Sequence, residues 1–64
     1  MPHLTLEVTE NLVFDAQALL ARLHDELAAS REVRLPTIKS RVVRHDTWRV
    51  ADGDPSHAFA HLAI

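Results

Sequence analysis

Leu4, Leu6 and Val8 alternate with His3, Thr5 and Glu7 near the start of the chain. A period of two puts the first three on one side of an extended segment and the others on the opposite side, so the pattern predicts a half-buried β-strand. Thr9-Glu10-Asn11 follows as polar turn chemistry, and either Asn11 or Asp15 can accept hydrogen bonds from the free N–H groups that open a helix. From about Phe14 to Ala29 the apolar positions fall instead at Ala16, Leu20, Leu23 and Leu27, spaced by four, three and four, with Leu19 widening the stripe. Gln17, Arg22, Asp25 and Glu26 lie off it, which describes one amphipathic helix, and the absence of internal glycine or proline agrees. His24 sits at the edge of the stripe as a boundary residue.

Ser30 to Pro36 reads as a connection, because Pro36 disfavours helix in the residue before it and Arg31, Glu32 and Arg34 are polar. Thr37 to Arg44 and Thr47 to Val50 are β-branched and alternate in places, which predicts a long second strand broken once at His45-Asp46. Asp52-Gly53-Asp54-Pro55-Ser56 is the strongest turn signal and holds the single glycine of the chain. His57 to Ile64 is then a third strand, expected to pair with the segment before it as a C-terminal β-hairpin. Strand, helix and strand in so short a span give an α+β class built on one β-α-β unit, whose parallel strands require a crossover of this length. One such unit cannot close a core, so residues 1–64 are expected to pair with a second unit or with partner subunits.

Length sharpens that expectation. A chain of 64 residues without cysteine is one domain or less, has no disulfide or thiolate-metal staple, and is of a size at which oligomerisation commonly supplies the missing stability. The net charge of −2 disfavours a nucleic-acid protein on bulk electrostatics. Glu7 and Glu10 interrupt the first dozen residues where a signal peptide needs an apolar run, and nowhere is there a stretch long enough to span a bilayer, so a cytoplasmic protein with no membrane partner is expected.

Four of the seven Lys and Arg residues, Lys39, Arg41, Arg44 and Arg49, fall within eleven positions that contain one acidic residue, Asp46. Lys39 and Arg41 are two apart, so they share a strand face on which they can grip carboxylates or stabilise an enolate, while Arg44 faces the other way. A solvated face making subunit salt bridges is the plainer reading of such a strip. Of the five histidines, His57 and His61 share a face in the predicted strand but lie roughly 13 Å apart, too far to hold one ion together, and no metal site is expected. Trp48 is better suited to core or interface packing than to base stacking.

The candidate with the most chemistry is Pro2. Removal of Met1, which a small second residue such as proline permits, would leave a free secondary amine held rigidly at the start of a strand. An α-amino group titrates at about 7.7 to 8.0, and apolar walls or nearby cations lower that value, which suits a general base working near neutral pH. With Met1 retained, the same nitrogen is a tertiary amide without basicity, and the proline only shapes the beginning of the strand.

Met1-Pro2-His3 opening a strand, Lys39-Ser40-Arg41-Val42, Asp46-Thr47-Trp48, Ala51-Asp52-Gly53, Ala58-Phe59 and His61 together resemble the N-terminal half of the 5-carboxymethyl-2-hydroxymuconate isomerases, of the tautomerase superfamily. The resemblance implies two β-α-β units per subunit in a trimer, no cofactor, and a substrate bearing several carboxylates whose dienol becomes a conjugated ketone in aromatic-acid catabolism. It implies Pro2 as the acid/base, with Lys39 or Arg41 holding a carboxylate and steadying the dienolate. Where family members read Arg-Ser-Arg this chain has Lys39-Ser40-Arg41, a point charge in place of one bidentate guanidinium. Another branch of the superfamily, the 4-oxalocrotonate tautomerases, uses single β-α-β subunits of about this size in hexamers. Two other functional classes remain beside the isomerase: a non-catalytic β-α-β assembly module that completes a partner's sheet, and a small nucleic-acid binder using the basic strip.

Overall fold

The computed structural model describes residues 2–30 and 33–64. Among these residues three strands form one sheet: β1 (His3–Thr9), β2 (Lys39–His45) and β3 (Ala60–Ala63), with one helix, α1 (Ala16–Ser30), and a 3-10 turn at Leu35–Thr37 between the helix and β2. The sheet order is β2-β1-β3, with β1 parallel to β2 and antiparallel to β3. The predicted β-α-β unit is therefore present, and its central strand is the first one.

The alternation in β1 translates directly into burial. Leu4, Leu6 and Val8 are buried beneath the helix side of the sheet, joined by Ile38 just before β2, while His3, Thr5 and Glu7 line the opposite, open face. Asp15 is the residue that caps α1: its Oδ1 accepts the Ala18 N–H at 3.0 Å. Asn11 serves differently, its Nδ2 donating to the carbonyls of His57 at 3.0 Å and Pro55 at 3.4 Å, which ties the β1–α1 connection to the loop before β3. The stripe residues Ala16, Leu20, Leu23 and Leu27 are half-buried, and none of the helix is fully buried. His24, at the stripe's edge, meets Ser40 Oγ of β2 at 2.6 Å and so ties helix to sheet.

Two expectations are corrected. The second strand does not resume after its break: it ends at His45, and Thr47 to Val50 form a loop rather than a strand. The third strand is shorter than His57 to Ile64 and makes no hairpin with the segment before it. It crosses to the free edge of β1, with Leu6 opposite Leu62 and Glu7 opposite His61. The cause lies in the long turn. Ala51 and Gly53 both have positive φ, 50° and 87°, and redirect the chain away from β2. Thr9, fully buried, then secures the return: its N–H donates to Phe59 O at 3.1 Å and its Oγ1 accepts the Phe59 N–H at 3.3 Å. Among the described residues, no helix is long and apolar enough to cross a membrane.

Candidate active site

Pro2 lies at the end of the sheet where β1 and β2 both begin. The Lys39 N–H donates to the Pro2 carbonyl at 3.1 Å, and the parallel register that follows sets His3 beside Lys39 and Thr5 beside Arg41. Lys39 and Arg41 are both exposed on the open face, as their spacing predicts. The Arg41 guanidinium reaches across to β1, where Nη1 donates to Thr5 Oγ1 at 3.1 Å and Nη2 lies 2.9 Å from His3 Nδ1. Lys39 Nζ donates to the Thr37 carbonyl at 3.4 Å. The result is a cationic corner next to Pro2, in which Arg41 is oriented by its neighbours while some of its five N–H donors remain for an anion. The state of the chain at Met1, on which the basicity of Pro2 depends, lies outside the described residues.

Arg44 faces the helix side, as its position in the alternation requires. Its Nη1 donates to the Leu12 carbonyl at 3.0 Å and its guanidinium lies 5.0 Å from the Phe14 ring centroid, a cation–π contact that holds the approach to the helix against β2. Arg49 is occupied within the loop, donating to the Asp52 carbonyl at 3.0 Å and packing against Gly53 where a Cβ would fall 2.6 Å from its Nη1. The basic strip of the sequence is thus divided among three places, and Lys39 and Arg41 are the members that meet Pro2's end of the sheet.

Further along the open face the strands bring together a group that sequence reasoning missed. Glu7, on the central strand, lies between His45 of β2 at 2.9 Å and His61 of β3 at 3.7 Å. The outward alternation of Glu7 was readable; that two histidines flank it follows only from the strand order. His57 lies outside any strand, its Nδ1 3.6 Å from Asp52 Oδ1, so the strand spacing assumed for His57 and His61 does not apply. Among the described residues no group of three or more potential metal ligands has the geometry to hold an ion.

A cavity of about 270 Å³ is bounded by Trp48, Arg49, Val50, Gly53 and Pro55 in the loop that follows β2. It lies at the opposite end of the strands from Pro2. Its cation is already engaged by the loop backbone, so the cationic corner beside Pro2 is the better candidate for chemistry. Trp48, half-buried, lines this cavity.

The sequence profile of the 5-carboxymethyl-2-hydroxymuconate isomerases matches residues 2–64. The chain belongs to the 5-carboxymethyl-2-hydroxymuconate isomerase family. It is also 36% identical over 66 aligned residues to the 5-carboxymethyl-2-hydroxymuconate Delta-isomerase of Escherichia coli, an alignment that takes in 100% of this chain and 52% of that enzyme. The chain thus spans about half the length of the curated relative it matches. The match to the isomerase family begins at Pro2 and includes the cationic corner and the long turn, so the segments with the most chemistry lie inside it.

Proposed function

We propose that this chain forms part of a cytoplasmic tautomerase that converts a carboxylated 2-hydroxymuconate-type dienol to its conjugated ketone, with Pro2 as the acid/base and Lys39 and Arg41 as the carboxylate-binding cations. The observation that carries this reading is the hydrogen bond from Lys39 N–H to Pro2 O, which sets the first residue of the matched region beside two cationic side chains on one exposed face. With Met1 removed, the secondary amine of Pro2 takes the enol proton while the electron pair of the O–H bond becomes that of a dienolate. Arg41 and Lys39 stabilise the negative charge, and the prolinium returns the proton to a carbon of the conjugated system. No atom is gained or lost, so neither cofactor nor co-reactant is required. The subunits work as a homo-oligomer, either a trimer of two-unit chains or a hexamer of single units.

The test is the rate of ketonisation of a 2-hydroxymuconate-type acid by the natural chain, with the N-terminus established by intact mass. Pro2→Ala is expected to lower kcat by at least about 100-fold, the usual contribution of a positioned general acid/base. Retention of the wild-type rate would remove the proline mechanism.

A second reading is favoured by one observation: α1 has no buried residue, while Leu62 and Ile64 are 40% and 78% exposed. A unit with so much uncovered apolar surface is suited to act as a non-catalytic assembly module, and an untrimmed Met1, with wild type and Pro2→Ala both at the background rate, would favour it.

A further inference from the structure

We propose that His3 is a positioning residue of this site, whose Nδ1 lone pair, together with Thr5 Oγ1, holds the Arg41 guanidinium in the orientation that receives a substrate carboxylate. The inference rests on the reading of Lys39 and Arg41 as carboxylate-binding groups and assigns to His3 a role in the same site.

The geometry defines the proton. A guanidinium has only donors, so at 2.9 Å from Arg41 Nη2 the His3 Nδ1 must be the acceptor, and the ring in this arrangement is the neutral tautomer protonated on Nε2. The two acceptors occupy successive outward positions of β1 and engage the two terminal nitrogens of one guanidinium, Nη2 with His3 and Nη1 with Thr5. A planar group held at both terminal nitrogens cannot turn about its Cδ–Nε bond without breaking one of the two bonds. An exposed arginine otherwise samples many rotamers, and each one lost on binding weakens the grip on an anion. His3 also follows Pro2 directly in the chain, so the ring that orients the cation is fixed to the same backbone as the proposed base. A neutral acceptor does this without adding a third positive charge beside Lys39 and Arg41.

The experiment uses the natural chain, the three single variants His3→Ala, His3→Asn and Arg41→Ala, and the double variant of His3→Ala with Arg41→Ala. Asparagine places its Oδ1 near the location of the histidine Nδ1 and can accept the same N–H. His3→Ala is expected to raise KM for the dienol acid about tenfold, the loss of one hydrogen bond to a charged group, with a smaller fall in kcat, about threefold or less, from weaker stabilisation of the dienolate by Arg41. His3→Asn is expected to restore KM to within about threefold of wild type. In an Arg41→Ala background, His3→Ala should add no further loss, because the group it orients is gone. A muconate dicarboxylate titrated by calorimetry against the same proteins gives a binding readout that needs no turnover. A failed proline mechanism would therefore appear as activity retained in Pro2→Ala, with the binding pattern of the His3 variants intact. A folded His3→Ala protein with unchanged KM and unchanged dicarboxylate affinity, an His3→Asn variant no better than His3→Ala, or fully additive losses in the double variant would each overturn the proposal.

Discussion

At the scale of single residues, the chain uses its polar side chains mainly to arrange backbone and neighbouring groups, and Asp54 shows the consequence most directly. Its Oδ1 accepts the Ser56 N–H at 2.9 Å and the Ser56 hydroxyl at 2.8 Å. These bonds, the backbone one first, favour the carboxylate and hold its pKa below the ordinary 3.8. A carboxyl whose folded pKa is depressed contributes stability that is fully present above its unfolded value and is lost as pH falls through the folded one. The stability advantage of wild type over Asp54→Asn should therefore shrink as pH falls below 3.8. Urea unfolding from about pH 6 to about pH 2.5 checks this, and a difference that does not vary with pH would show that Asp54 does not titrate differently on folding. The candidate site was legible in part at this same scale. Spacing alone put Lys39 and Arg41 on one face and Arg44 on the other, because alternation is a property of the strand. That Arg41 would rest on His3, and that Glu7 would stand between His45 and His61, depends on which strand lies beside which and in what register, and a local pattern carries neither.

Elements are where the sequence was most and least informative. β1 and α1 could be read closely because burial on one side imposes a period, two for Leu4, Leu6 and Val8 and near 3.6 for Leu20, Leu23 and Leu27. The partner of β3 could not. Ala60 to Ala63 would satisfy a hairpin as well as it satisfies the edge of β1, and the choice is made by contacts distant in sequence, the pair of hydrogen bonds between Thr9 and Phe59 and the positive φ angles at Ala51 and Gly53. Propensity failed at Thr47 to Val50 for a related reason: a β-branched segment becomes a strand only where an edge is open to it, and beyond His45 the chain turns away. Helix α1 offers the cleaner test of a local rule. Asp15 accepts the Ala18 N–H, one of the donors that the first turn leaves without an intrahelical partner. Asp15→Ala should lower the unfolding free energy by about 1 kcal/mol, and Asp15→Ser should recover most of it. A thermal melt in which both variants match wild type would show that the cap contributes nothing to the folded state.

For the molecule as a whole, the limiting quantity is the interior. Among the described residues the buried apolar ones are Leu4, Leu6, Val8 and Ile38, and a groove of about 240 Å³ bounded by Leu23, Leu27, Leu62 and Ile64 lies open between the helix and β3. The radius of gyration is 13.8 Å and the long axis 42 Å, against about 11 Å expected of a compact domain of this length. An elongated unit with four buried apolar side chains among its described residues offers little to set against the conformational entropy of its own backbone. Association that covers the groove would supply the remainder, since burying one leucine or isoleucine side chain contributes about 1.5 to 3 kcal/mol. The 64-residue chain is therefore expected to melt at a temperature that rises with protein concentration, as folding linked to association requires. Ile64, 78% exposed and beyond the end of β3, is the residue at which this can be probed with least disturbance to the unit itself. Ile64→Asp should weaken self-association by at least about tenfold in sedimentation equilibrium, and far-UV circular dichroism at high concentration should remain close to wild type. A sharp, concentration-independent melt of a monomer, unchanged by Ile64→Asp, would mean that the small interior suffices and that the exposed apolar surface of α1 and β3 is not an interface between copies.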